Sequence, residues 1–86
     1  RQMASVFTLG FALETENGPT HARRKLREKG MDMVALNLAN DPESGFNAET
    51  NRVTIINRDD SEEELPLLAK SDVADLLLDR IEQRLA

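Results

Sequence analysis

The first 37 residues constrain this chain more than any other stretch, because two apolar runs flank a run of helix formers. Ser5-Val6-Phe7-Thr8-Leu9-Gly10-Phe11-Ala12-Leu13 is mostly apolar and rich in β-formers. It reads as a strand buried on both faces, as in a parallel sheet. Residues 14–20 are polar and punctuated by Asn17, Gly18 and Pro19. Asn17 is the expected helix N-cap, and Pro19 suits a first helical turn. From Thr20 to Lys29 the residues favour helix, with Ala22 and Leu26 one turn apart, and Gly30 can supply the left-handed residue that ends it. Met31 to Asn37, centred on Met33-Val34-Ala35-Leu36, reads as a second strand. Strand, helix and strand in that order predict a βαβ unit with parallel strands and a right-handed crossover.

Residues 38–51 are dense in turn formers, and a loop of that length in a compact domain is usually functional or mobile. Phe46 is its one bulky apolar residue and its expected anchor. Val53 to Asn57 reads as a third strand and Arg58 to Ser61 as a turn. Glu62-Glu63-Glu64 then leads into Leu65-Pro66-Leu67-Leu68, the expected hairpin partner, which Pro66 confines to an edge or a strand end. Ser71 is the expected cap of a last helix, with Asp72 and Asp75 in its first turn. Val73, Leu76, Leu77, Ile81 and Leu85 form an apolar stripe along that helix, which should cover the sheet. The fold class is therefore α/β: a βαβ unit, a short β-hairpin and a C-terminal helix.

The 86 residues suit a single small domain, 1–86. A chain of this size buries little more than roughly 60% of its unfolded surface, so its independent stability is expected to be marginal. The start at Arg1 rather than Met is what a segment of a longer protein would show. The absence of cysteine excludes disulfides and thiolate metal sites and favours a cytoplasmic location. No apolar run approaches the roughly 18 residues of a membrane span. A net charge of −5 argues against general nucleic-acid binding. Yet Arg23, Arg24, Lys25, Arg27 and Lys29, five of the eleven basic residues, fall within one seven-residue window. A local cationic patch on an acidic chain points to a small anionic ligand rather than a polymer.

Lys25 and Lys29 are four apart on the expected helix, which places both ammonium groups on one face. Two such cations can grip adjacent phosphates of a triphosphate. A basic run near a helix end also complements the helix dipole and is commonly a solvated face, and no P-loop or Rossmann fingerprint accompanies this one. Phe11 ends the first strand, where open α/β sheets bind ligands, and could face a base; equally, it could be core. Glu14, Glu16 and Asp41 could serve a divalent metal or acid–base chemistry, though their spacing matches no known cage. His21, the single histidine, reads as a surface residue.

The run Gly10-Phe11-Ala12-Leu13-Glu14-Thr15-Glu16-Asn17 resembles a segment of the synthetase half of the bacterial bifunctional phosphopantothenoylcysteine decarboxylase/synthetase flavoproteins. Residues 22–32 are similar to that family's basic helix and its exit. Asn37 falls on the Asn of a strand-end motif whose following Asp is here Leu38. Gly45-Phe46-Asn47, Asn51 to Ile56, Leu65-Pro66-Leu67 and Lys70 to Ala74 continue the resemblance in order. It implies a Rossmann-like fold, a homodimer, and a ligase that uses CTP and Mg²⁺ to join 4′-phosphopantothenate to cysteine in coenzyme A biosynthesis. It further implies that Phe11 borders the nucleotide base and that Lys25 and Lys29 hold its phosphates. The family's Gly-rich strand–helix turn, its acyl-cytidylate-stabilising Asn and a further Lys belong to an earlier half, and FMN belongs to a decarboxylase domain. None of these falls on this chain, which is expected to form one wall of a nucleotide site and not to turn over alone. The alternative reading is a non-catalytic interaction or regulatory module whose basic helix docks an acidic partner.

Overall fold

A six-residue strand, β1 (Leu9–Glu14), leads through a three-residue link into helix α1 (Gly18–Glu28) and then strand β2 (Met33–Leu38), which lies parallel to the first. This computed structural model describes residues 6–39, 41 and 49–85; Phe46 and the run Gly45-Phe46-Asn47 lie outside them. The remaining elements are β3 (Thr50–Asn51), β4 (Thr54–Asn57), β5 (Glu62–Glu64), β6 (Leu68–Ala69) and helix α2 (Lys70–Leu85). Four strands form one sheet in the order β1-β2-β4-β5, parallel between β1 and β2 and antiparallel beyond. β3 and β6 form a separate two-stranded antiparallel ribbon.

The helices sit on opposite faces of the sheet, and side-chain alternation along each strand sorts the core into two clusters. Ala12, Val34, Leu36 and Ile56 face α1 and pack with its Ala22 and Leu26 and with Met31. Met33, Ala35 and Ile55 face the other way and meet Val73 and Leu77 of α2, together with Val53 and Leu65. β2 is buried on both sides from Met33 to Leu36, as its unbroken apolar run requires.

β1 differs from the strand its sequence suggests. Ala12 is buried under α1, but on the opposite face only its first part is covered, with Phe7 and Leu9 packed against the α2-side cluster. Phe11 is 70% exposed and Leu13 56% exposed. β1 is the sheet edge among the described residues, and no element covers that end of its outer face.

The hairpin also differs. The strand that pairs with β4 is the triple glutamate itself, with Ile55 opposite Glu63, and Leu65 to Leu68 only follows it. A tight turn sets this register: Asn57 and Ser61 close it through the backbone, and Asp60 takes the left-handed φ of 72° that Asp tolerates. Salt bridges then make a charged strand acceptable. Glu63 receives both Nε and Nη2 of Arg80 from α2 at 2.8 Å, and Glu62 pairs with Arg23 of α1.

α1 begins at Gly18 with Asn17 in the N-cap position, as expected, but Asn17 has a φ of 52° and its side chain makes no capping bond. A capping side chain needs the extended backbone that Asn17 lacks. α2 begins at Lys70, so Ser71 lies inside its first turn, as does Asp72, while Asp75 falls in the second.

Candidate functional site

The expected site residues map onto the middle of β1, which runs three residues past Phe11, and the last turns of α1. Lys25 lies in the last turn of α1 and Lys29 is its C-cap, with the Lys29 N–H donating to the Lys25 carbonyl at 3.0 Å. The two lysines therefore share a helix face, as their spacing predicts. Phe11 does not join them. Gly10, Ala12 and Glu14 point toward α1, so alternation sends Phe11 to the other side of the sheet.

The basic cluster is largely engaged within the fold. Arg23 pairs with Glu62 and lies 3.8 Å from Asp60, and Arg27 lies 3.7 Å from the same Asp60 carboxylate. Lys25 Nζ is 3.1 Å from Glu14 Oε2. Among the described residues, Arg24 and Lys29 have no carboxylate partner, and both are exposed.

Glu14 is the residue that sequence reasoning undervalued. Its side chain, 16% exposed, fills the angle between the carboxyl end of β1 and α1. Lys25 takes one of its oxygens and His21 Nδ1 takes the other, each at 3.1 Å. The Lys25 ammonium, and then the His21 ring, hold the Glu14 carboxyl below the usual carboxylate range. His21 is thus half-buried and hydrogen-bonded rather than a free surface residue. The signal was present as the i, i+4 pair His21–Lys25 facing the last residue of the strand before the helix, but only the docking of α1 reveals it.

Beyond Leu36 lies a cleft of about 130 Å³. Leu36, Leu38 and Leu65 give it an apolar floor, and Asp41, Arg52, Thr54 and Glu64 line it with polar groups. Arg52 donates to Asp41 at 2.9 Å across it. Gly18 packs so tightly here that a Cβ would meet Leu38 Cδ2 at 2.8 Å. Leu38, 40% exposed, makes this rim apolar. Glu14 and Asp41, two of the three candidate metal ligands, are each paired with a cation. Among the described residues, no three His, Cys, Asp or Glu are placed to hold a metal.

The DNA/pantothenate metabolism flavoprotein C-terminal domain family model matches residues 1–85. The chain belongs to this family. Family relatives include the coenzyme A biosynthesis bifunctional protein CoaBC of Bacillus subtilis, 40% identical over 85% of this chain, and that of Escherichia coli, 36% identical over 91%. A prokaryotic protein named cysteine/cysteine sulfinic acid decarboxylase is 46% identical over 77% of the chain. The chain spans 18–19% of the length of these relatives. Among solved structures, the C-terminal domain of CoaBC superposes with a TM-score of 0.78 at 38% identity. That match covers 95% of this chain and 36% of that one. The α/β architecture and the membership implied by the Gly10–Asn17 run are both established by these matches. No described helix of this family member is long and apolar enough to cross a membrane.

Proposed function

We propose that this chain supplies the phosphate-holding wall of the nucleotide site in a phosphopantothenate–cysteine ligase of coenzyme A biosynthesis. Lys25 and Lys29 contact the phosphates of CTP, and Phe11 borders its base. The observation that carries this reading is the lysine pair on one face of the last turns of α1, in a chain whose family membership is established. A large aromatic left 70% exposed on a strand adds support, since burial is the ordinary fate of such a side chain. Phe11 and the lysines lie on opposite faces, so a nucleotide touching both straddles the β1 edge. The homodimer belongs to the same reading, with that edge as the surface offered to a second copy.

In the reaction, the carboxylate of 4′-phosphopantothenate attacks the α-phosphorus of CTP, and the α–β phosphoanhydride bond breaks to release pyrophosphate. The cysteine amine then attacks the acyl carbon and expels CMP. Lysines aimed at the phosphates stabilise the charge that moves onto pyrophosphate. Mg²⁺ would travel with the nucleotide, since the described carboxylates form no cluster for it. FMN has no residues assigned to it in this chain. The docking alternative is less well supported, because Arg23 and Arg27 are already paired with Glu62 and Asp60.

Titration of Mg²⁺–CTP into the ¹⁵N-labelled chain tests the proposal. Amide shifts should cluster at Phe11, Lys25 and Lys29. Lys25→Ala and Lys29→Ala should each weaken binding roughly three- to ten-fold, exposed charges being partly screened. Equal dependence on Arg23, Arg24 and Arg27, or a chain that binds no nucleotide, would overturn it. Sedimentation at rising concentration tests the dimer, and a monomer throughout would remove it.

A further inference from the structure

We infer that Glu14 is a positioning residue for the anion site, fixing the Lys25 ammonium at the carboxyl end of β1 with His21 as its second anchor. The inference rests on the proposed role of Lys25 and extends it to a residue that touches no ligand.

The three groups converge where α1 passes the end of β1. Side chains on a helix lean toward its N-terminus, so Lys25 lies back over His21, one turn earlier. β1 and α1 are joined by three residues, so the start of α1 and the end of β1 are adjacent. Glu14 stands at that junction. Its backbone is held at both sides, since it pairs with Leu38 of β2 and its carbonyl accepts the Ala39 N–H at 2.7 Å. Its two carboxylate oxygens are each taken, at 3.1 Å, by Lys25 Nζ and by His21 Nδ1.

The result is a lysine whose ammonium is tethered to Glu14. An ammonium has three donors, and one bond to Glu14 leaves two for a phosphate. Lys25 keeps 44% of its side-chain surface open to solvent, so an anion can still approach it. The carboxyl ends of strands are where open α/β sheets bind ligands, and Glu14 draws the ammonium to that end. Lys29, with no such tether among the described residues, supplies charge without fixed placement.

A carboxylate beside an anion site could also act in the opposite sense, as a rival for the lysine. Two observations favour positioning. Glu14 is recessed, at 16% exposure, behind the lysine it holds. Both of its oxygens face donors on α1, so little of its charge is directed at an incoming phosphate.

Binding of Mg²⁺–CTP to the full chain, read by amide shifts, decides the matter in a double-mutant cycle of Glu14→Ala and Lys25→Ala. Glu14→Ala should weaken binding about three- to ten-fold, the range expected when one side chain must be immobilised on binding. It should add nothing once Lys25 is alanine. Glu14→Gln, which keeps an acceptor oxygen at the same reach, should fall nearer to the unsubstituted chain. A general structural effect would persist in the Lys25→Ala background and overturns the inference, as does tighter binding by Glu14→Ala, the mark of a rival anion. If the unsubstituted chain binds nothing, or Lys25→Ala binds as well as it does, the nucleotide-site proposal itself fails, and this inference falls with it.

Discussion

Gly30 ends α1 at a φ of 63°, in open space: a Cβ there would meet nothing within 4 Å. The need for glycine is therefore purely conformational. An L side chain in this region is destabilised by its own backbone, so Gly30→Ala should lower stability by about 1 kcal/mol, read as a shift in the urea midpoint at constant slope. An unchanged midpoint would show that the helix end simply rearranges. Gly30 and the lysine pair were legible in the sequence because each is a local rule of helix geometry. Glu14 was not. Its partners His21 and Lys25 are seven and eleven residues away, and only the packing of α1 on β1 joins them. Phe11 was half legible: its place on β1 follows from sequence, but it falls in the middle of the strand rather than at its end, and its face depends on which side α1 occupies.

At the scale of elements, α2 shows how an amphipathic stripe turns into stability. Val73 and Leu77 are buried against the sheet, while Leu78, the next residue along, is 60% exposed. Leu77→Ala should destabilise the fold by about 2–4 kcal/mol, through lost transfer energy and the cavity left behind. Leu78→Ala should stay within about 0.5 kcal/mol. Chemical denaturation of the two variants checks this, and similar losses for both would mean that α2 is not seated as described. The βαβ order, the buried β2 and the stripe of α2 from Val73 to Ile81 were readable because periodicity and helix punctuation specify them, whereas Leu85, expected in that stripe, is 59% exposed. The hairpin was not read correctly, because three successive glutamates have poor strand propensity on their own. Turn geometry at Asp60, together with Arg23 and Arg80 reaching in from both helices, overrides that propensity. Nor could sequence reveal that the outer face of β1 is left open at Phe11 and Leu13, since an apolar run does not record what lies beside it.

Across the whole molecule, carboxylates act as ties between layers. Glu14 joins β1 to α1, Glu63 joins β5 to α2, and Asp59 joins the β4–β5 turn to Arg84 at the end of α2. Lys25 lowers Glu14, Arg80 lowers Glu63, and Ser61 followed by Arg84 lowers Asp59 well below the usual range. Groups whose folded values are depressed favour the fold while ionised. Their contribution is full above the unfolded carboxylate range, near ~4, and is lost as pH falls through the lowered values. The melting temperature should therefore hold level from pH 7 to about 5 and drop below about 4. Glu63→Gln should melt lower at pH 7 and show a shallower acid drop. A melting temperature that rises on acidification would contradict this account.

The sheet also has a direction. β2 is parallel to β1 and antiparallel to β4, so its two flanks obey different rules of extension. Past β5, a further strand would have to lie along three glutamates, two of them exposed, whose charge repels an incoming chain. Past β1, the edge carries uncharged backbone and the open faces of Phe11 and Leu13. In the language of crystal growth, β5 is a poisoned step and β1 a live one. Among the described strands, then, a strand appended by fusion or by design should meet less resistance on the β1 side than on the β5 side.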